Sequence, residues 1–232
     1  MKVAAIVPAA GQGKRLGSKI PKPYLRIFGT PLLVHTVKAL QKAFSFEEIV
    51  VVAESSFLKK AELILKGHGL KKARVVTGGA SRAESVLNGL KSLKSSAEYV
   101  LVHDAARPLI SKQLVRRTIL GAKKAGAICG IPVSSTVKCV SEDKDRILGT
   151  QDRRFLYLAQ TPQVFKTSLL MGRYQALGKK ALAATDEASL FDGSDWSIRM
   201  VAGDPQNIKV TTKADLELMK HYLGSHANRY RL

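Results

Sequence analysis

Apolar runs and amphipathic stretches alternate along the first half of the chain. The apolar runs predict buried strands at residues 3–7, 48–53, 73–76, 99–102 and 127–133. The stretches between them carry apolar residues at helical spacing and predict helices at residues 31–43, 57–66, 82–93 and 112–125. Strands that alternate with helices in this way pack as a parallel sheet with right-handed crossovers.

Capping residues indicate where three of these helices begin. Thr30 followed by Pro31 predicts an N-cap with proline at the first helical position. Ser81, with Glu84 three residues later, has the form of a capping box. Ser111 is expected to cap the helix that follows.

The alternation of strand and helix breaks between residues 134 and 154. Two short segments at residues 136–140 and 146–150 flank a polar turn, which predicts a β-hairpin. A hairpin inserted in such a domain is either an ordinary edge hairpin or an arm that contacts a partner. The pattern by itself favours the edge hairpin.

The last third of the chain returns to helices and short strands. The elements expected there are a helix at residues 166–177, a short helix from Thr185, strands at 198–201 and 208–210, and a final helix from Thr212 that ends before Gly224. Residues 224–232 are expected to form a loose basic tail. The pattern predicts one α/β domain over residues 1–223, with a doubly wound, mostly parallel, Rossmann-like sheet.

Composition changes this picture mainly through charge. The chain has 232 residues, 45% of them hydrophobic, which suits one domain, but its formal net charge is +20. The basic residues are scattered, and aromatic residues, at 6%, do not interleave with them as in a stacking platform for nucleic acid. We interpret most of the charge as a solvated surface that attracts phosphorylated substrates. A basic nucleic-acid-binding protein is the alternative from another class.

Several further features bear on the compartment. No stretch reaches the roughly 18 apolar residues of a membrane span, and the first strand follows Met1 so closely that we expect no signal or transit peptide. Cys129 and Cys139 are too few for a disulfide framework or a metal site. We therefore expect a cytoplasmic protein.

The loop after the first strand carries the strongest chemical signal. It mixes glycines with cations: Gly11, Gly13, Lys14, Arg15, Gly17, Lys19 and Lys22. Small residues let backbone amides approach phosphate oxygens, and the cations neutralise their charge. The spacing fits neither a dinucleotide fingerprint nor a P-loop. The loop is either a flexible basic turn or a site for a nucleoside triphosphate, and the stiff setting of Lys22 between Pro21 and Pro23 favours the site.

Polar residues also follow other strands, at the ends where ligands bind to open α/β sheets. The glycines at residues 78–79, with Ser85 one turn into the next helix, allow a base to approach the backbone closely. Asp104 is a candidate ligand for Mg²⁺ together with substrate phosphates, or it caps a turn and pairs with Arg107. Lys209 lies either on a solvent face or in a cleft.

Several kinds of catalytic site have no counterpart in the sequence. The histidines show no metal-binding spacing, and there is no Gly-x-Ser-x-Gly elbow and no plausible Cys–His nucleophile pair. This favours chemistry on phosphates by positioning and electrostatics, which needs no covalent nucleophile from the protein.

Six blocks of sequence resemble one family, among them His-Asp-Ala-Ala-Arg-Pro and Thr-Asp-Glu-Ala-Ser. In order, the blocks are residues 8–22, 78–86, 103–108, 160–163, 185–189 and 207–211. They are similar to those of the 2-C-methyl-D-erythritol 4-phosphate cytidylyltransferases of the non-mevalonate isoprenoid pathway. The resemblance implies a fold of the nucleotide-diphospho-sugar transferase type and transfer of CMP from CTP to methylerythritol phosphate, with release of pyrophosphate and with Mg²⁺ as cofactor. A ribitol 5-phosphate cytidylyltransferase is the alternative within this class.

The resemblance also implies roles for individual residues. Arg15 and Lys22 match the cations that stabilise the α-phosphate during transfer, and Asp104 matches the carboxylate that binds the metal. The implied nucleotide-binding positions are Pro8, Ala9, Ala10, Gly11, Gly13, Gly79, Ala80, Ser85, Asp104 and Ala105. The positions implied to hold the sugar-alcohol phosphate are Arg107, Thr136, Arg153, Thr185 and Lys209.

The resemblance further implies a homodimer. In the family the hairpin, here residues 134–154, crosses to a second subunit and completes its site. The implied partners are therefore CTP, a sugar-alcohol phosphate and a second copy of the chain, with no membrane and no specific nucleic acid. Ser135 stands where the family often has an acidic residue.

Overall fold

The computed structural model describes residues 1–11 and 20–229. The strands in these ranges are β1 (Val3–Pro8), β2 (Arg26–Ile27), β3 (Thr30–Pro31), β4 (Ile49–Ala53), β5 (Ala73–Thr77), β6 (Tyr99–Val102), β7 (Gly126–Pro132), β8 (Val137–Val140), β9 (Ile147–Gln151), β10 (Tyr157–Lys166) and β11 (Ile198–Ala202). The helices are α1 (Leu32–Ala43), α2 (Leu58–Gly67), α3 (Arg82–Lys91), α4 (Lys112–Gly121), α5 (Thr167–Leu177) and α6 (Lys213–Arg229). Short 3-10 helices lie at Lys22–Tyr24, Ser55–Phe57, Arg153–Phe155, Gly178–Ala183 and Ala188–Phe191.

Seven strands form one central sheet in the order β11-β7-β10-β6-β1-β4-β5. β10 runs antiparallel to both of its neighbours, and all other adjacent pairs are parallel. The prediction of a mostly parallel sheet is confirmed. In this order, the carboxyl ends of the four parallel strands β6, β1, β4 and β5 lie side by side at one edge of the sheet.

The helices cover both faces of the sheet. Apolar residues of α1, α2 and α4 pack against alternate residues of β1, such as Val7, in one buried cluster. Residues of α3 and α5 pack on the opposite face with Ile6. Burial on both faces explains why these strands are continuous apolar runs, and it confirms the doubly wound arrangement.

Strand β10 was not predicted from the sequence. Polar residues and a proline interrupt it at residues 160–163, and proline is rarely found inside a central strand. The pairing of β10 with β7 shifts register between Gln160 and Gln163, and this irregularity accommodates Pro162 within the strand. The same polar residues serve the site described below.

The predicted helix caps have mixed outcomes. Ser81 and Ser111 do cap their helices, because their hydroxyls accept the amides of Glu84 at 3.1 Å and of Leu114 at 3.2 Å. The cap at Thr30 is wrong. Thr30 pairs with Ile27 in the hairpin of β2 and β3, and α1 starts at Leu32 with no side-chain cap.

Three element boundaries also differ from expectation. Helix α4 ends at Gly121, where a side chain would meet Val201 at 2.8 Å. Residues 208–210 are not a strand, although the Val210 amide donates to the Ala106 carbonyl at 2.9 Å. The short helix expected from Thr185 is a 3-10 helix at Ala188–Phe191.

The final helix is longer than predicted. It does not end before Gly224 but continues to Arg229, so residues 224–229 are helical rather than loose. Residues 230–232 of the predicted tail lie outside the described residues. A glycine inside a helix costs only about 1 kcal/mol relative to alanine. The helix is anchored by the buried side chain of Met219, which packs in a small cluster with Ile27 and Leu32.

The predicted hairpin is present at residues 134–154. Strands β8 and β9 pair only with each other in the described part of the chain, as a separate two-stranded sheet. Several large apolar side chains on or beside it are exposed, with relative accessibilities of 67% for Ile147, 68% for Leu148 and 79% for Phe155. The hairpin therefore stands away from the central sheet with an apolar surface.

Candidate active site

A cleft of about 850 Å³ lies at the carboxyl ends of β6, β1, β4 and β5. Its lining residues are Pro8, Ala10, Gly11, Lys22, Pro23, Glu54, Ser55, Gly78, Gly79, Ala80, Ser81, Arg82, Ser85, Asp104, Ala105, Ala106 and Lys209. This is the edge at which ligands bind to open α/β sheets. The start of α3 also faces the cleft through Ser81 and Arg82, so the positive end of that helix favours an anion there.

Gly78 brings the loops after β1 and β5 into contact. A Cβ atom at Gly78 would lie 2.9 Å from the Cβ of Ala10 and 2.9 Å from the Oγ of Ser85. The Gly78 amide donates to the Ala53 carbonyl at 2.7 Å, which fixes the loop to the end of β4. The Ser85 hydroxyl accepts the Gly79 amide at 3.1 Å and donates to the Ser81 carbonyl at 2.9 Å. The wall of the cleft is thus a tightly packed backbone turn that only glycine fits.

The substitution Gly78→Ala tests the importance of this close approach. Overpacking of this kind costs about 1–3 kcal/mol, and we expect the displaced loop to raise the KM for CTP, the substrate that the resemblance implies, by about tenfold or more. Steady-state kinetics with CTP as the varied substrate measure the effect. Gly172→Ala in α5 is the matched control, because a Cβ there meets nothing within 4 Å. An unchanged KM in Gly78→Ala would show that the turn does not shape the nucleotide site.

Asp104 lies at the centre of a cluster of cations. Its Oδ1 accepts from Nε of Arg82 at 3.1 Å, and its Oδ2 lies 2.7 Å from Nζ of Lys209 and 3.8 Å from Nε of Arg107. Burial would raise the pKa of the Asp104 carboxyl, but the three cations outweigh burial and hold that pKa well below its ordinary value. Asp104 is therefore ionised at neutral pH. Of the two positions left open for Lys209, the structure shows the one in the cleft.

A chain of hydrogen bonds holds the backbone of Asp104. Its amide donates to the Thr161 hydroxyl at 3.1 Å, and that hydroxyl lies 3.0 Å from Nδ1 of His103. Nε2 of His103 is 3.0 Å from the Arg107 carbonyl, which can only accept, so Nε2 carries the proton and Nδ1 accepts from Thr161. Burial lowers the pKa of His103 to about 4, which keeps the ring neutral at pH 7 and suits this pattern.

Arg82 and Glu187 were not among the predicted site residues, although both lie within the blocks that carry the resemblance. The guanidinium of Arg82 donates to both carboxylate oxygens of Glu187, at 2.9 and 3.0 Å. Burial raises the pKa of the Glu187 carboxyl, and the charge of Arg82 opposes that shift. The only available sign of a role was that an arginine and an acidic residue lie in two of these blocks. The two residues are 105 positions apart in the sequence, so the sequence did not show that they pair.

Of the two residues expected to be catalytic, Lys22 is described by the structure and Arg15 is not. Lys22 lines the cleft and begins a 3-10 helix, in which the Leu25 amide donates to the Lys22 carbonyl at 3.1 Å. The ring of Tyr24 in that helix stacks on the ring of Phe57, with 4.8 Å between the ring centroids, and this contact fixes the segment against the core. Arg15 lies outside the described residues, as does Gly13.

Most of the expected nucleotide-binding positions line the cleft. They are Pro8, Ala10, Gly11, Gly79, Ala80, Ser85, Asp104 and Ala105. Ala9 is buried beside them, and its amide donates to the Val52 carbonyl at 2.7 Å. The structure therefore brings together residues from loops that are distant in the sequence.

The positions expected to hold the sugar-alcohol phosphate are more dispersed. Arg107 is buried behind Asp104, and its Nη1 donates to the Asn207 carbonyl at 2.7 Å. Thr136 and Arg153 are exposed on the hairpin and Thr185 is exposed beside the Ala188–Phe191 helix, and none of the three lines the cleft of this chain. Of these five expected positions, Lys209 alone lines the cleft of this chain.

Among residues 1–11 and 20–229, no three His, Cys, Asp or Glu side chains are grouped so as to hold a metal ion by themselves. Across the same part of the chain, no helix combines the length and the apolar character needed to cross a bilayer.

Comparison with known proteins gives consistent results. A sequence model of the 2-C-methyl-D-erythritol 4-phosphate cytidylyltransferase family matches residues 3–225. The 2-C-methyl-D-erythritol 4-phosphate cytidylyltransferase of Alkaliphilus metalliredigens is 40% identical over 218 residues, which cover 93% of this chain and 90% of that protein. The bifunctional enzyme IspD/IspF of Desulfotalea psychrophila is 38% identical over 95% of this chain, which spans 56% of that longer protein.

Solved structures agree with the sequence matches. The crystal structure of 4-diphosphocytidyl-2C-methyl-D-erythritol synthase from Anaerococcus prevotii superposes with a TM-score of 0.82 at 29% identity. The superposition covers 96% of this chain and 98% of that one. The similarity therefore includes both the fold and nearly the whole length of the chain.

Proposed function

The chain belongs to the 2-C-methyl-D-erythritol 4-phosphate cytidylyltransferase family, and from this premise we propose how its own residues carry out cytidylyl transfer. The enzyme is a nucleotidyltransferase that transfers CMP from CTP to methylerythritol phosphate in isoprenoid biosynthesis. One observation carries the proposal: the carboxylate of Asp104 and the ammonium of Lys209 lie 2.7 Å apart in a cleft that is also lined by the glycine turn at residues 78–79. A base fits against the turn, and phosphates fit beside the charges.

Transfer requires one bond to form as another breaks. A phosphate oxygen of the alcohol substrate attacks the α-phosphorus of CTP in line with the departing pyrophosphate. Because the nucleophile is already an anion, no general base is needed, and the difficulty is to bring two polyanions together. Lys22 and Lys209 line the cleft and supply the compensating charge, and each such group contributes on the order of a few kcal/mol in the transition state. Arg15, in the loop between β1 and Lys22, is proposed to act with them.

The donor set of the cleft fits Mg²⁺ when phosphates complete it. Mg²⁺ commonly takes one or two protein carboxylates together with substrate phosphates and water. Asp104 is ionised, lies in the cleft wall and has about four lone-pair positions, of which Arg82, Lys209 and Arg107 occupy at most three. When bound, the ion would neutralise phosphate charge and orient the triphosphate. We propose that Asp104 is its protein ligand.

A homodimer through the hairpin would complete the second substrate site. Thr136 and Arg153 are exposed on the hairpin and do not line the cleft of their own subunit, so we propose that they reach the cleft of a second copy. The exposed apolar side chains of Ile147, Leu148 and Phe155 support such an interface. Thr185 and Arg107 are proposed to help position the same substrate.

Arg153→Ala is expected to raise the KM for methylerythritol phosphate by about 10- to 100-fold, because a charged hydrogen bond to the substrate phosphate is worth about 1.5–3 kcal/mol. The effect on kcat should be much smaller. Steady-state kinetics with each substrate varied in turn measure both constants. Arg154→Ala is the matched control, since Arg154 is also exposed but pairs with Asp152 at 2.6 Å. Equal effects of the two substitutions would contradict a specific role for Arg153.

Leu148→Glu tests the interface. A charge in a buried apolar contact is strongly unfavourable, so we expect the dimer to dissociate in sedimentation velocity experiments and the KM for methylerythritol phosphate to rise. Leu63→Glu on α2 is the control, because Leu63 is equally exposed, at 70% against 68%. A dimeric Leu148→Glu variant with unchanged kinetics would place the interface elsewhere.

Pyrophosphate release from CTP and Mg²⁺ tests the function itself when methylerythritol phosphate and ribitol 5-phosphate are assayed side by side. We expect turnover with methylerythritol phosphate and little with ribitol 5-phosphate. The reverse preference would indicate the related ribitol enzyme. No turnover, together with tight and salt-sensitive binding to DNA or RNA, would indicate that the protein binds nucleic acid through its net charge of +20.

We also propose that the enzyme works in the cytoplasm. Cys129 and Cys139 are both free thiols, and thiols persist in a reducing compartment. Burial raises the pKa of Cys129 to about 12, so this thiol is not reactive at neutral pH.

A further inference from the structure

The guanidinium of Arg82 is held between two carboxylates. Its Nε donates to Oδ1 of Asp104 at 3.1 Å, while Nη1 and Nη2 donate to the two oxygens of Glu187 at 2.9 and 3.0 Å. All three nitrogens are therefore engaged, and both edges of the planar group are fixed. A bidentate pair of this kind specifies orientation as well as charge.

Glu187 is itself held in place. Its side chain is 1% exposed, and its backbone amide donates to Oε1 of Gln163 at 3.1 Å. The Ala188 amide donates to the same oxygen at 3.3 Å. Gln163 belongs to β10, so the central sheet fixes Glu187 independently of α3, which carries Arg82.

Glu187 does not line the cleft. Both of its oxygens are engaged by Arg82, and through Arg82 it determines how the neighbouring carboxylate is presented. Nε of Arg82 donates to Oδ1 of Asp104, and Nζ of Lys209 lies 2.7 Å from Oδ2. The side chain of Arg82 is 25% exposed towards the cleft, so a guanidinium without its bidentate partner would be able to turn towards a bound triphosphate and leave Asp104.

We propose that Glu187 is a positioning residue, which fixes Arg82 so that the carboxylate of Asp104 stays ordered for the metal–triphosphate complex. The proposal rests on the proposed function, because it deepens the role given there to Asp104. It differs from a merely structural role, in which the Glu187–Arg82 pair only joins the Ala188–Phe191 helix to α3. A structural role would affect stability and would weaken binding with and without metal alike.

The test is calorimetric titration of CTP into the full-length enzyme, once with Mg²⁺ and once with EDTA. Loss of the partner that orients a metal ligand typically costs about 10- to 100-fold in affinity. We expect Glu187→Gln to weaken CTP binding with Mg²⁺ by about tenfold and to leave binding in EDTA within about twofold of wild type. Glu48→Gln is the matched control, because Glu48 also pairs with an arginine, Arg74 at 2.9 Å, but lies outside the cleft.

Arg82→Lys keeps the charge but loses the bidentate geometry, and it provides a second measurement if Glu187→Gln folds poorly. We expect it to reproduce the metal-dependent loss. The double variant should bind no more weakly than Arg82→Lys alone, because residues that act through one another are not additive. Thermal unfolding of each variant records any separate effect on stability.

The outcomes separate this proposal from the function on which it rests. If wild-type enzyme binds CTP with Mg²⁺ and the Glu187 variant binds equally well, the positioning role is wrong and the function stands. The same holds if the loss is equal with Mg²⁺ and EDTA, or if the two substitutions are additive. If wild-type enzyme neither binds nor turns over CTP, the function itself is wrong.

Discussion

Asp104→Asn is expected to lower kcat by about 100-fold or more, because a metal ion on a phosphoryl group contributes several kcal/mol of transition-state stabilisation. The substitution removes the negative charge that faces Arg82, Lys209 and Arg107, at 3.1, 2.7 and 3.8 Å. It also removes the proposed protein ligand of Mg²⁺. We expect the Mg²⁺ concentration for half-maximal rate to rise together with the fall in kcat.

The matched control for this substitution is Glu62→Gln on α2, which exchanges an exposed carboxylate for an amide away from the cleft. It should leave kinetics and stability unchanged. In this variant Arg82 keeps its pair with Glu187, but Lys209 and Arg107 lose the negative charge they face at residue 104, which also destabilises the fold. Kinetics are therefore to be measured where circular dichroism shows the variant folded. A folded Asp104→Asn enzyme with near-normal kcat and an unchanged Mg²⁺ requirement would assign Asp104 a structural role.

Lys22→Ala is expected to lower kcat by about 100-fold with a much smaller effect on the KM for CTP. Removal of one preorganised hydrogen-bond donor that acts on a transition state costs about 2.7–4 kcal/mol where it has been measured in enzymes. The segment Lys22–Tyr24 is fixed by its own backbone hydrogen bonds and by the stacking of Tyr24 on Phe57. The backbone of Lys22 is therefore held rigidly where its residue lines the cleft.

Lys59→Ala on α2 is the control for charge, since it removes a cation that is exposed and outside the cleft. It should change neither constant at moderate ionic strength. If Lys22→Ala raises the KM for CTP and leaves kcat intact, Lys22 binds the ground state only. Near-normal values of both constants would remove it from the mechanism.

Much of the sheet was predictable because strands that are buried on both faces have continuous apolar sequences. The segments that form β1, β4 and β6 are continuous apolar runs, and each was placed within a residue or two of its position. Strand β10 has no continuous apolar sequence. Its polar residues at 160–163 are buried because they hold other parts of the site: Thr161 supports Asp104 and Gln163 supports Glu187.

The site was predictable where it follows strand ends and unpredictable where it depends on side-chain pairing. Residues 78–79 and Asp104 were placed at strand ends and Ser85 one turn into the following helix, and the structure brings them to one cleft. The sequence left two positions open for Lys209, because periodicity does not show which way a single side chain points. The pair of Arg82 and Glu187 joins residues 105 apart, a contact that no local pattern encodes.

A crystal structure of the enzyme with CTP and Mg²⁺ tests the central claim most directly. We predict that the cytosine packs against residues 78–85 and that the triphosphate lies between Lys22 and the pair formed by Asp104 and Lys209, with the metal on Asp104. A nucleotide bound outside this cleft, or a triphosphate that points away from Asp104 and Lys209, would contradict the account.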